Sequence, residues 1–560
     1  MENATPNVHA ELALHSAQMQ KRIFTINGRI HTAFSWAPSN ATMIEGRDGV
    51  ILVDTLSTVD LASPVAVQFR SIANKPIRTV IYTHCHADHV SGVKAFISED
   101  DVRDGRVEII AHESLVSQLV DLNILTPIIA RRLMYTFGFQ LPLGEEGNVC
   151  CGFGPVNLPG KRSFIPPTRT FSDSLDLEIE GVRMQLVHVP SESEDQIVVW
   201  LPDDRVLLSA DVIQGETFPN VYAIRGTMFR DPMTWVSAID RLRGFRAETL
   251  VPHHGRPVHG AAVVDELLVA HRDAIQYLHD QTVRWMNHGC TPDEIVEKVK
   301  MPPHLAHHPW LGEYYGTYKH SIRGIYSGYL GWFEGDAATL DPPPRAIRAA
   351  RYVELMGGRE NVLKAARRAL VDADPQWAAE IATWQIRANP EDKDARSIKA
   401  TAMRRWGLLQ KNANWRNWAL TSSLELEGKL TPARGLPAGS PDVVREFPSR
   451  AILGSLPVRL KSEQTMDRQL TVAFECIDTG ERCALEIRHG ICQFHDTPPG
   501  NSDVTVRFER QLLSDILLQQ TNFAEGVKTG SVSLDGDPRV FSEFLDCFEA
   551  PPANPAISVR

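Results

Sequence analysis

The fold is decided by the stretch TVIYTHCHADH, residues Thr79 to His89, in which a short apolar run leads directly into a dense set of metal ligands. A run rich in β-branched and aromatic residues predicts a strand. Three histidines and one aspartate then follow the run, and imidazole is the commonest metal ligand among side chains. The stretch therefore predicts a strand that delivers ligands to a metal site at the edge of a sheet.

The bulk composition limits the possible partners. A chain of 560 residues is too long for one hydrophobic core, so we expect three domains. The net charge of -11 gives no indication of a positively charged surface for nucleic acid, so we expect a small-molecule partner and no nucleic acid. The sequence also contains neither an apolar leader segment nor a stretch long enough for a transmembrane helix, so the expected location is cytoplasmic.

The eight cysteines form no CxxC pair and no dense framework, which indicates reduced, structural thiols. Cys85 lies between two candidate ligands. On a strand end, however, its side chain points away from those of its neighbours, so we do not expect it to bind the metal.

Residues 23–270 alternate short apolar runs with turns and helical patterns, which is typical of an α/β domain. The runs at 49–54, 107–111 and 205–208 predict strands. The long passage from Leu141 to Thr168 interrupts this pattern. A loop of that length in a catalytic layer is more often a substrate-covering element than idle chain.

Residues 271–430 have helical periodicity and predict an all-helical domain. Aromatic residues crowd its segment between Trp310 and Phe333, which fits a core or a dimer surface better than direct substrate contact. A linker rich in Pro and Gly, 430–442, leads to a predicted α+β domain at 440–560. In that domain the runs 469–474 and 484–487 predict a hairpin, and 511–520 predicts an amphipathic helix.

A metal centre needs ligands from more than one loop, and three later strands each run into a ligand-type residue. Glu192 or Glu194 follows the run 187–190, Asp211 follows 207–210, and His253 or His254 follows 250–252. Any one of these residues alone could lie in a solvated turn. The same placement three times predicts that they converge on one site.

This order of motifs (HxHxDH, a ligand turn, a strand ending in Asp and a PxHG turn) resembles the metallo-β-lactamase superfamily over residues 23–270. The resemblance implies an αββα sandwich for the first domain. Members of the superfamily carry a histidine in the ligand turn, where this chain has Glu192. With an acidic residue at that position, the chain resembles the alkylsulfatase branch of the superfamily. This branch includes secreted dodecyl-sulfate hydrolases and secondary-alkylsulfatases.

Other segments also resemble alkylsulfatases. Residues 220–226, NVYAIRG, are similar to an NxYxxRG stretch in which the Asn and Arg hold the sulfate, which implies that role for Asn220 and Arg225. Residues 329–333, YLGWF, are similar to a segment of the helical dimerisation domain, which implies a homodimer through residues 271–430. The domain at 440–560 resembles sterol carrier protein, and it could recruit alkyl chains or serve only as a stabilising appendage.

The resemblance implies two zinc ions per chain and a set of seven ligands. One ion would be bound by His84, His86 and Glu192, the second by Asp88, His89 and His254, with Asp211 bridging the two. The positions of the family motifs favour Glu192 over Glu194 and His254 over His253 as metal ligands. His253 would then lie behind the ligands.

The implied activity is hydrolysis of alkyl sulfate monoesters to inorganic sulfate and an alcohol by a metal-activated water. Asp211 and Arg225 would be catalytic, and Asn220 and Arg225 would bind the substrate. Two alternatives stay open: another hydrolase of the same fold, acting on a lactone, thioester or phosphodiester, and an amphiphile-binding protein with a structural metal site.

Overall fold

The computed structural model of the chain describes residues 7–124, 128–431, 440–550, 552 and 555–558. These residues form two packed β-sheets with outer helices, a helical unit and a smaller α+β unit. Much of the predicted linker at 430–442 lies outside the described residues.

The first unit contains two sheets, each with its strands paired in chain order. The first sheet consists of β1 (Arg22–Ile26), β2 (Ile30–Phe34), β3 (Ala41–Glu45), β4 (Val50–Val53), β5 (Ile77–Ile81), β6 (Glu108–His112) and β7 (Arg169–Phe171). The second sheet consists of β8 (Ser174–Ile179), β9 (Val182–His188), β10 (Ile197–Leu201), β11 (Val206–Ala210), β12 (Thr249–Pro252) and β13 (Val258–His259). The helices of this unit are α1 (Ala10–Ala17), α2 (Val59–Ile72), α3 (Ala87–Val90), α4 (Glu99–Arg103), α5 (Leu115–Ile124), α6 (Ile128–Thr136), α7 (Pro232–Gly244) and α8 (Ala261–Asn287).

A core of fully buried aliphatic side chains lies between the two sheets, with Ile51 and Ile81 from the first and Leu208 and Val251 from the second. Helices cover the outer face of each sheet over separate apolar clusters. Because both faces of the central strands are covered, those strands are continuous apolar runs rather than alternating ones. The predicted αββα sandwich is confirmed.

The pairing of the strands determines where the functional loops lie. β4, β5 and β6 are parallel in the first sheet, and β11 and β12 are parallel in the second. The carboxyl ends of parallel neighbours meet at the same edge of a sheet, as in other open α/β sheets that bind ligands there. The loops that follow β4, β5, β11 and β12 carry Asp54, His84, Asp211 and His254.

The second unit is helical, as predicted. It contains α9 (Pro292–Lys298), α10 (Pro303–Ala306), α11 (Tyr318–Leu330), α12 (Arg345–Leu355), α13 (Arg359–Val371), α14 (Pro375–Ala388), α15 (Lys393–Leu408) and α16 (Ala413–Leu426). α8 runs across residue 270, the predicted domain boundary, and packs against α7 and α11. The aromatic segment is divided, because Tyr315 and Tyr326 are buried whereas Tyr329 and Trp332 are exposed.

The third unit is an α+β domain, as predicted. It contains α17 (Pro441–Arg445), α18 (Ser449–Gly454), β14 (Gln469–Cys476), β15 (Arg482–Arg488), β16 (Ile491–His495), β17 (Val504–Phe508), α19 (Gln511–Leu517), α20 (Phe523–Thr529), β18 (Val532–Gly536) and α21 (Pro538–Leu545). β14 and β15 form the predicted hairpin, and α19 corresponds to the predicted amphipathic helix. Phenylalanine rings fill the interior between the sheet and its helices, among them Phe474, Phe523 and Phe544. The likeness to sterol carrier protein stays a prediction.

The long passage 141–168 contains neither a helix nor a strand, and the other two units hold it at its two ends. Near its start, the buried guanidinium of Arg416 on α16 donates from Nε to the carbonyl oxygen of Gly147 at 3.0 Å. Near its end, the amide of Phe164 donates to the carboxylate of Asp442 on α17 at 3.1 Å. The passage is therefore an ordered part of the tertiary structure.

The described helices include none that combines the length and apolar character needed to cross a membrane.

Asp392 should be a stability determinant of the helical unit. Its buried carboxylate caps α15 by accepting from the amide of Ala395 and pairs with Arg359 Nε at 2.6 Å. We expect Asp392→Ala to lower the free energy of unfolding by about 1 to 2 kcal/mol, because both the cap and the charge-assisted hydrogen bonds are lost. Differential scanning calorimetry measures the change.

Asp394 supplies a matched control, because it pairs with the same arginine at 2.7 Å but is largely exposed. Asp394→Ala should change the stability by no more than about 0.5 kcal/mol. Equal destabilisation by the two substitutions would contradict the role assigned to the buried cap.

Candidate metal centre

Four ligand-type side chains from three strand ends meet at one point. His84 and His86 follow β5, Glu192 follows β9, and Asp211 follows β11. One ligand atom from each of the four lies within 4.8 Å of the others. His84 Nε2 is 2.9 Å from His86 Nδ1, so a ligand atom of each ring faces the same small volume.

A second group adjoins the first and consists of Asp88, His89 and His254. Asp211 lies between the groups, because its Oδ2 is 3.8 Å from His84 Nε2, 3.5 Å from His89 Nε2 and 2.9 Å from His254 Nε2. All seven side chains named from the sequence thus lie in one continuous cluster.

The backbone at two positions explains how these side chains reach the cluster. Ala210, at the end of β11, has a left-handed φ of 46° next to an irregularity in the pairing with β12. Such strain in a non-glycine residue is tolerated where the surroundings enforce it, and here it directs Asp211 inward. Gly255, after His254, has a φ of 89°, and a Cβ there would lie 2.9 Å from the Cα of Gly215. The chain therefore needs glycine after the histidine.

A buried carboxylate behind the cluster, that of Asp54, orients two of the histidines. Its Oδ2 is 2.6 Å from His89 Nδ1 and 2.5 Å from His253 Nδ1. Its Oδ1 also accepts from the amide of Thr83 at 2.8 Å. Burial alone would raise the pKa of Asp54, but His253 and His89 outweigh that effect and hold it well below the ordinary value. Asp54 thus stays charged and leaves His89 Nε2 to face the cluster.

The donor set fits a metal because several of its buried atoms have no protein partner. His89 Nε2, Glu192 Oε2 and Asp211 Oδ1 are buried without a hydrogen bond in the described structure. Leaving such atoms unpaired is costly, and a bound cation would satisfy them. Carboxylates and imidazoles without thiolate are ligands that catalytic zinc sites use, whereas structural zinc sites are usually rich in sulfur.

The carboxylates and imidazoles of the cluster are packed closely enough to shift one another's pKa values. Burial would raise the pKa of Asp211, but His254 and His89 outweigh it and hold the pKa well below its ordinary value. Burial lowers the pKa of His84 to about 3, and the neighbouring His89 adds to this effect. Burial would also lower the pKa of His89 and His254, but Asp211 outweighs it and raises both. Because metal ions bind neutral imidazoles and ionised carboxylates, a metal would have to displace protons from these two rings.

Glu192 and Glu194 have different environments. Glu192 is buried in the cluster, whereas Glu194 is exposed and accepts from His188 Nε2 only through its backbone carbonyl. Glu192 Oε1 lies 2.7 Å from Arg230 Nη2. Burial raises the pKa of Glu192 to about 7, although Arg230 opposes this rise. A cation beside the carboxylate would favour its charged form in the same way.

A cavity of about 170 Å³ opens beside the cluster and joins it to Arg225. His86, Asp88, Glu192, Asp211 and His254 line it on the polar side. Its apolar wall includes Leu133, Phe137 and Phe153. The last of these belongs to the passage 141–168, so that passage borders the candidate site as expected. A larger cavity, of about 450 Å³, lies at the opposite edge of the first sheet, where β4, β5 and β6 begin, away from the ligands.

The two predicted sulfate-binding residues have different positions. The guanidinium of Arg225 lines the cavity and is only 9% exposed. Asn220 is buried but is not among the described residues that line the cavity, and its Oδ1 has no hydrogen-bond partner. Burial raises the pKa of the Tyr315 phenol, which lines the cavity, and a hydrogen bond from the Asn220 side chain opposes that rise. Asn220 therefore lies close to Tyr315 and outside the set of described residues that line the cavity.

Sequence reasoning missed three residues of this site. Asp54 ends a predicted strand, so the rule that selected Asp211 could also have selected it. Tyr315 lies in the aromatic segment, for which direct substrate contact was the less favoured interpretation. Arg230 carried no signal, because its contact with Glu192 depends on the tertiary structure. Cys85 is buried and belongs to none of the described ligand groups.

Three parts of the chain match known families. Residues 35–254 match the metallo-beta-lactamase superfamily, residues 291–429 match alkyl sulfatase dimerisation, and residues 437–557 match alkyl sulfatase C-terminal. These matches agree with the resemblance found in the sequence motifs and with the three units of the fold.

Individual relatives match over nearly the whole chain. A linear primary-alkylsulfatase of Pseudomonas sp. (strain ATCC 19151) is 46% identical over 528 residues, which cover 92% of this chain and 100% of the relative. An alkyl/aryl-sulfatase of Saccharomyces cerevisiae is 30% identical, over 94% of this chain and 82% of the relative. The solved structure of the stereoselective inverting sec-alkylsulfatase Pisa1 from Pseudomonas sp. superimposes with a TM-score of 0.91 at 28% identity, covering 99% of this chain and 89% of that one. Similarity of this extent shows that the chain belongs to the alkylsulfatase family of the metallo-β-lactamase superfamily.

Proposed function

We propose that the protein is a dizinc alkylsulfatase, which hydrolyses sulfate monoesters of alkyl alcohols to inorganic sulfate and the alcohol. The observation that carries this proposal is the composition of one cavity, in which a metal-ligand cluster, a buried guanidinium and an apolar wall are combined. The substrate needs all three features, because it has a bond to hydrolyse, an anionic headgroup and an alkyl chain. The names of the relatives support the same substrate class.

The proposed ligands of one zinc ion are His84, His86 and Glu192, and those of the second are Asp88, His89 and His254. Asp211 is the proposed bridge, which its position between the two groups supports. Bound there, two zinc ions would supply Lewis acidity and make a water nucleophilic at neutral pH. The three carboxylates balance much of the charge of two dications.

We propose that Arg225 binds the sulfate, because a guanidinium presents a planar pair of N–H donors that can hydrogen-bond to two sulfate oxygens. Its burial strengthens the contact with charge that develops on the sulfate in the transition state. We propose that Asn220 binds the sulfate together with Arg225, close to the Tyr315 phenol that lines the cavity. The apolar wall holds the alkyl chain and limits the access of water to the reacting group.

The proposed assembly is a homodimer formed through the helical unit. Exposed apolar side chains cluster in its sequence around the turn between α11 and α12, among them Leu330, Trp332 and Leu340. The match of residues 291–429 to a dimerisation family supports the same assembly. Burial of these side chains against a second copy would remove them from water.

The activity is tested by incubating the zinc-loaded protein with alkyl sulfates of increasing chain length and measuring free sulfate. We expect sulfate release from alkyl esters, with no comparable turnover of a lactone, a thioester or a phosphodiester. Reaction in ¹⁸O-labelled water then identifies the broken bond from the product that carries the label. Bound zinc without hydrolysis of any ester would instead support the amphiphile-binding alternative.

The choice between Glu192 and Glu194 is tested by converting each to glutamine. We expect Glu192→Gln to lose at least one zinc per chain and most of the activity, because a carboxylate ligand becomes neutral. Glu194→Gln is the matched control, two residues away, and should keep both the metal and the rate. Elemental analysis by mass spectrometry measures zinc per chain, and the opposite pattern would assign the ligand to Glu194.

The role of Arg225 is tested by replacement with alanine. We expect Arg225→Ala to keep both metals and lower kcat/KM for alkyl sulfates by about 100- to 1,000-fold, the usual effect of removing one donor to developing charge. Arg241, an exposed arginine on α7, supplies the control, and Arg241→Ala should keep the full rate. Full activity of Arg225→Ala would refute the proposed role of Arg225 in binding the sulfate.

A further inference from the structure

The cavity beside the metal cluster is lined by a second guanidinium, that of Arg162 in the passage 141–168. Arg162 is exposed whereas Arg225 is buried, so Arg162 lies where the cavity opens to solvent. The surrounding protein partly desolvates the exposed guanidinium and lowers the pKa of Arg162, and the charge of Asp88 opposes this effect. Burial and the neighbouring Arg230 lower the pKa of Arg225, and Asp88 is among the groups that oppose this effect, so both guanidinium groups lie within electrostatic range of the ligand cluster.

The backbone on both sides of Arg162 is fixed to the catalytic unit. The amide of Lys161 donates to Asp60 Oδ2 at 2.6 Å, on the first turn of α2. The amide of Ser163 donates to the carbonyl oxygen of Ser91 at 2.8 Å. An arginine whose two neighbours are both anchored has a defined position, although its own side chain is exposed.

The C-terminal unit adds a further anchor. Asp442 on α17 accepts from the amide of Phe164 and also pairs with Lys94 Nζ at 2.8 Å. Its carboxylate is only 13% exposed, so little solvent screens these contacts. The C-terminal unit thus anchors the loop at Phe164, two residues after Arg162.

A free hydroxyl lies in the same cavity wall. Ser57 is 3% exposed, and its Oγ has no hydrogen-bond partner in the described structure. Buried hydroxyls are normally paired, so an unpaired one in a cavity wall indicates a polar group of a ligand. Asn157, from the same loop as Arg162, also lines this cavity.

We infer that Arg162 binds the sulfate headgroup of the substrate from the open side of the cavity and that Asp442 is a positioning residue for it. This inference rests on the proposed function and deepens it. A sulfate monoester has three non-ester oxygens, and a bidentate contact with Arg225 occupies two of them. A solvent-exposed cation that contacts the headgroup stabilises the bound ground state and the transition state alike, so its loss raises KM and leaves kcat nearly unchanged.

The test uses octane-1-sulfonate, an alkyl anion with no hydrolysable ester bond, and isothermal titration calorimetry on the zinc-loaded protein. We expect Arg162→Gln to raise the Kd of octane-1-sulfonate about tenfold, as for loss of one charge-assisted hydrogen bond. Arg162→Lys, which keeps the charge, should lose less. In turnover, Arg162→Gln should raise the KM for octyl sulfate about as much and change kcat less than twofold.

Lys161 supplies the matched control, because it is the adjacent, exposed cation and is not among the described residues that line the cavity. Lys161→Gln removes the same charge and should leave the Kd within twofold of the wild type. Octan-1-ol should inhibit the wild type and Arg162→Gln equally, because it has no anionic group. Equal Kd values for the wild type and Arg162→Gln, or equal weakening of the alcohol and the sulfonate, would overturn the inference.

The role of Asp442 is tested with a double-mutant cycle. Asp442→Asn should raise the Kd of octane-1-sulfonate in the wild type but have no further effect in Arg162→Gln, because it acts only through that side chain. An additive effect of the two substitutions would refute the positioning role.

Failure of the proposed function would give a different result. If the wild type binds octane-1-sulfonate but releases no sulfate from octyl sulfate, the sulfatase proposal fails, and the sulfonate affinities alone decide the role of Arg162. If sulfate is released and Arg162→Gln binds the sulfonate as tightly as the wild type, the role of Arg162 fails and the sulfatase proposal stands.

Discussion

The buried carboxylate of Asp54 is the contact on which the site depends, because it connects the carboxyl ends of both sheets. It accepts from the backbone and hydroxyl of Thr83 and lies within hydrogen-bond distance of His89 and His253. Asp54 and Thr83 belong to the first sheet, whereas His253 follows a strand of the second. Its own φ of 57° is a left-handed conformation that aspartate tolerates better than most residues. One charge thus holds the two layers together where the ligands meet, and it orients the ring of His89.

The sequence was informative about the ligands because the chemistry lies at strand ends. A strand buried on both faces is a continuous apolar run, and the residue after such a run lies at a known edge of the sheet. This rule, with the dense motif after β5, selected five of the seven side chains and left Glu192 or Glu194 and His253 or His254 as the choices for the other two. The same rule could have selected Asp54. The sandwich follows from the same runs, since the alternation of strands and helices leaves few ways to bury them. The choice of Glu192 over Glu194 came from family register, and their burial agrees with it.

The substrate cavity could not be predicted in the same way, because its wall is built by tertiary contacts between distant parts of the chain. Tyr315 reaches it from the helical unit, and Arg162 reaches it from a loop without regular structure. The contact between Phe164 and Asp442 spans 278 residues, and no local pattern encodes it. The role of Asn220 stays a prediction, since its motif indicates contact with the sulfate and the structure buries its side chain close to Tyr315.

Chemistry and substrate binding are therefore supported by different parts of the molecule. The ligands lie on strand ends, where hydrogen bonds of the sheets and Asp54 fix them to a narrow geometry, as metal ions require. Part of the wall of the cavity, at Phe153, Asn157 and Arg162, lies on the passage 141–168. This passage contains no helix or strand, and Arg416 from the helical unit and Asp442 from the C-terminal unit hold it. A change in either outer unit can thus alter how the cavity accepts an alkyl chain without moving a metal ligand. The C-terminal unit, whose interior is filled by phenylalanine rings, is thus connected to the cavity wall through the contact between Asp442 and Phe164.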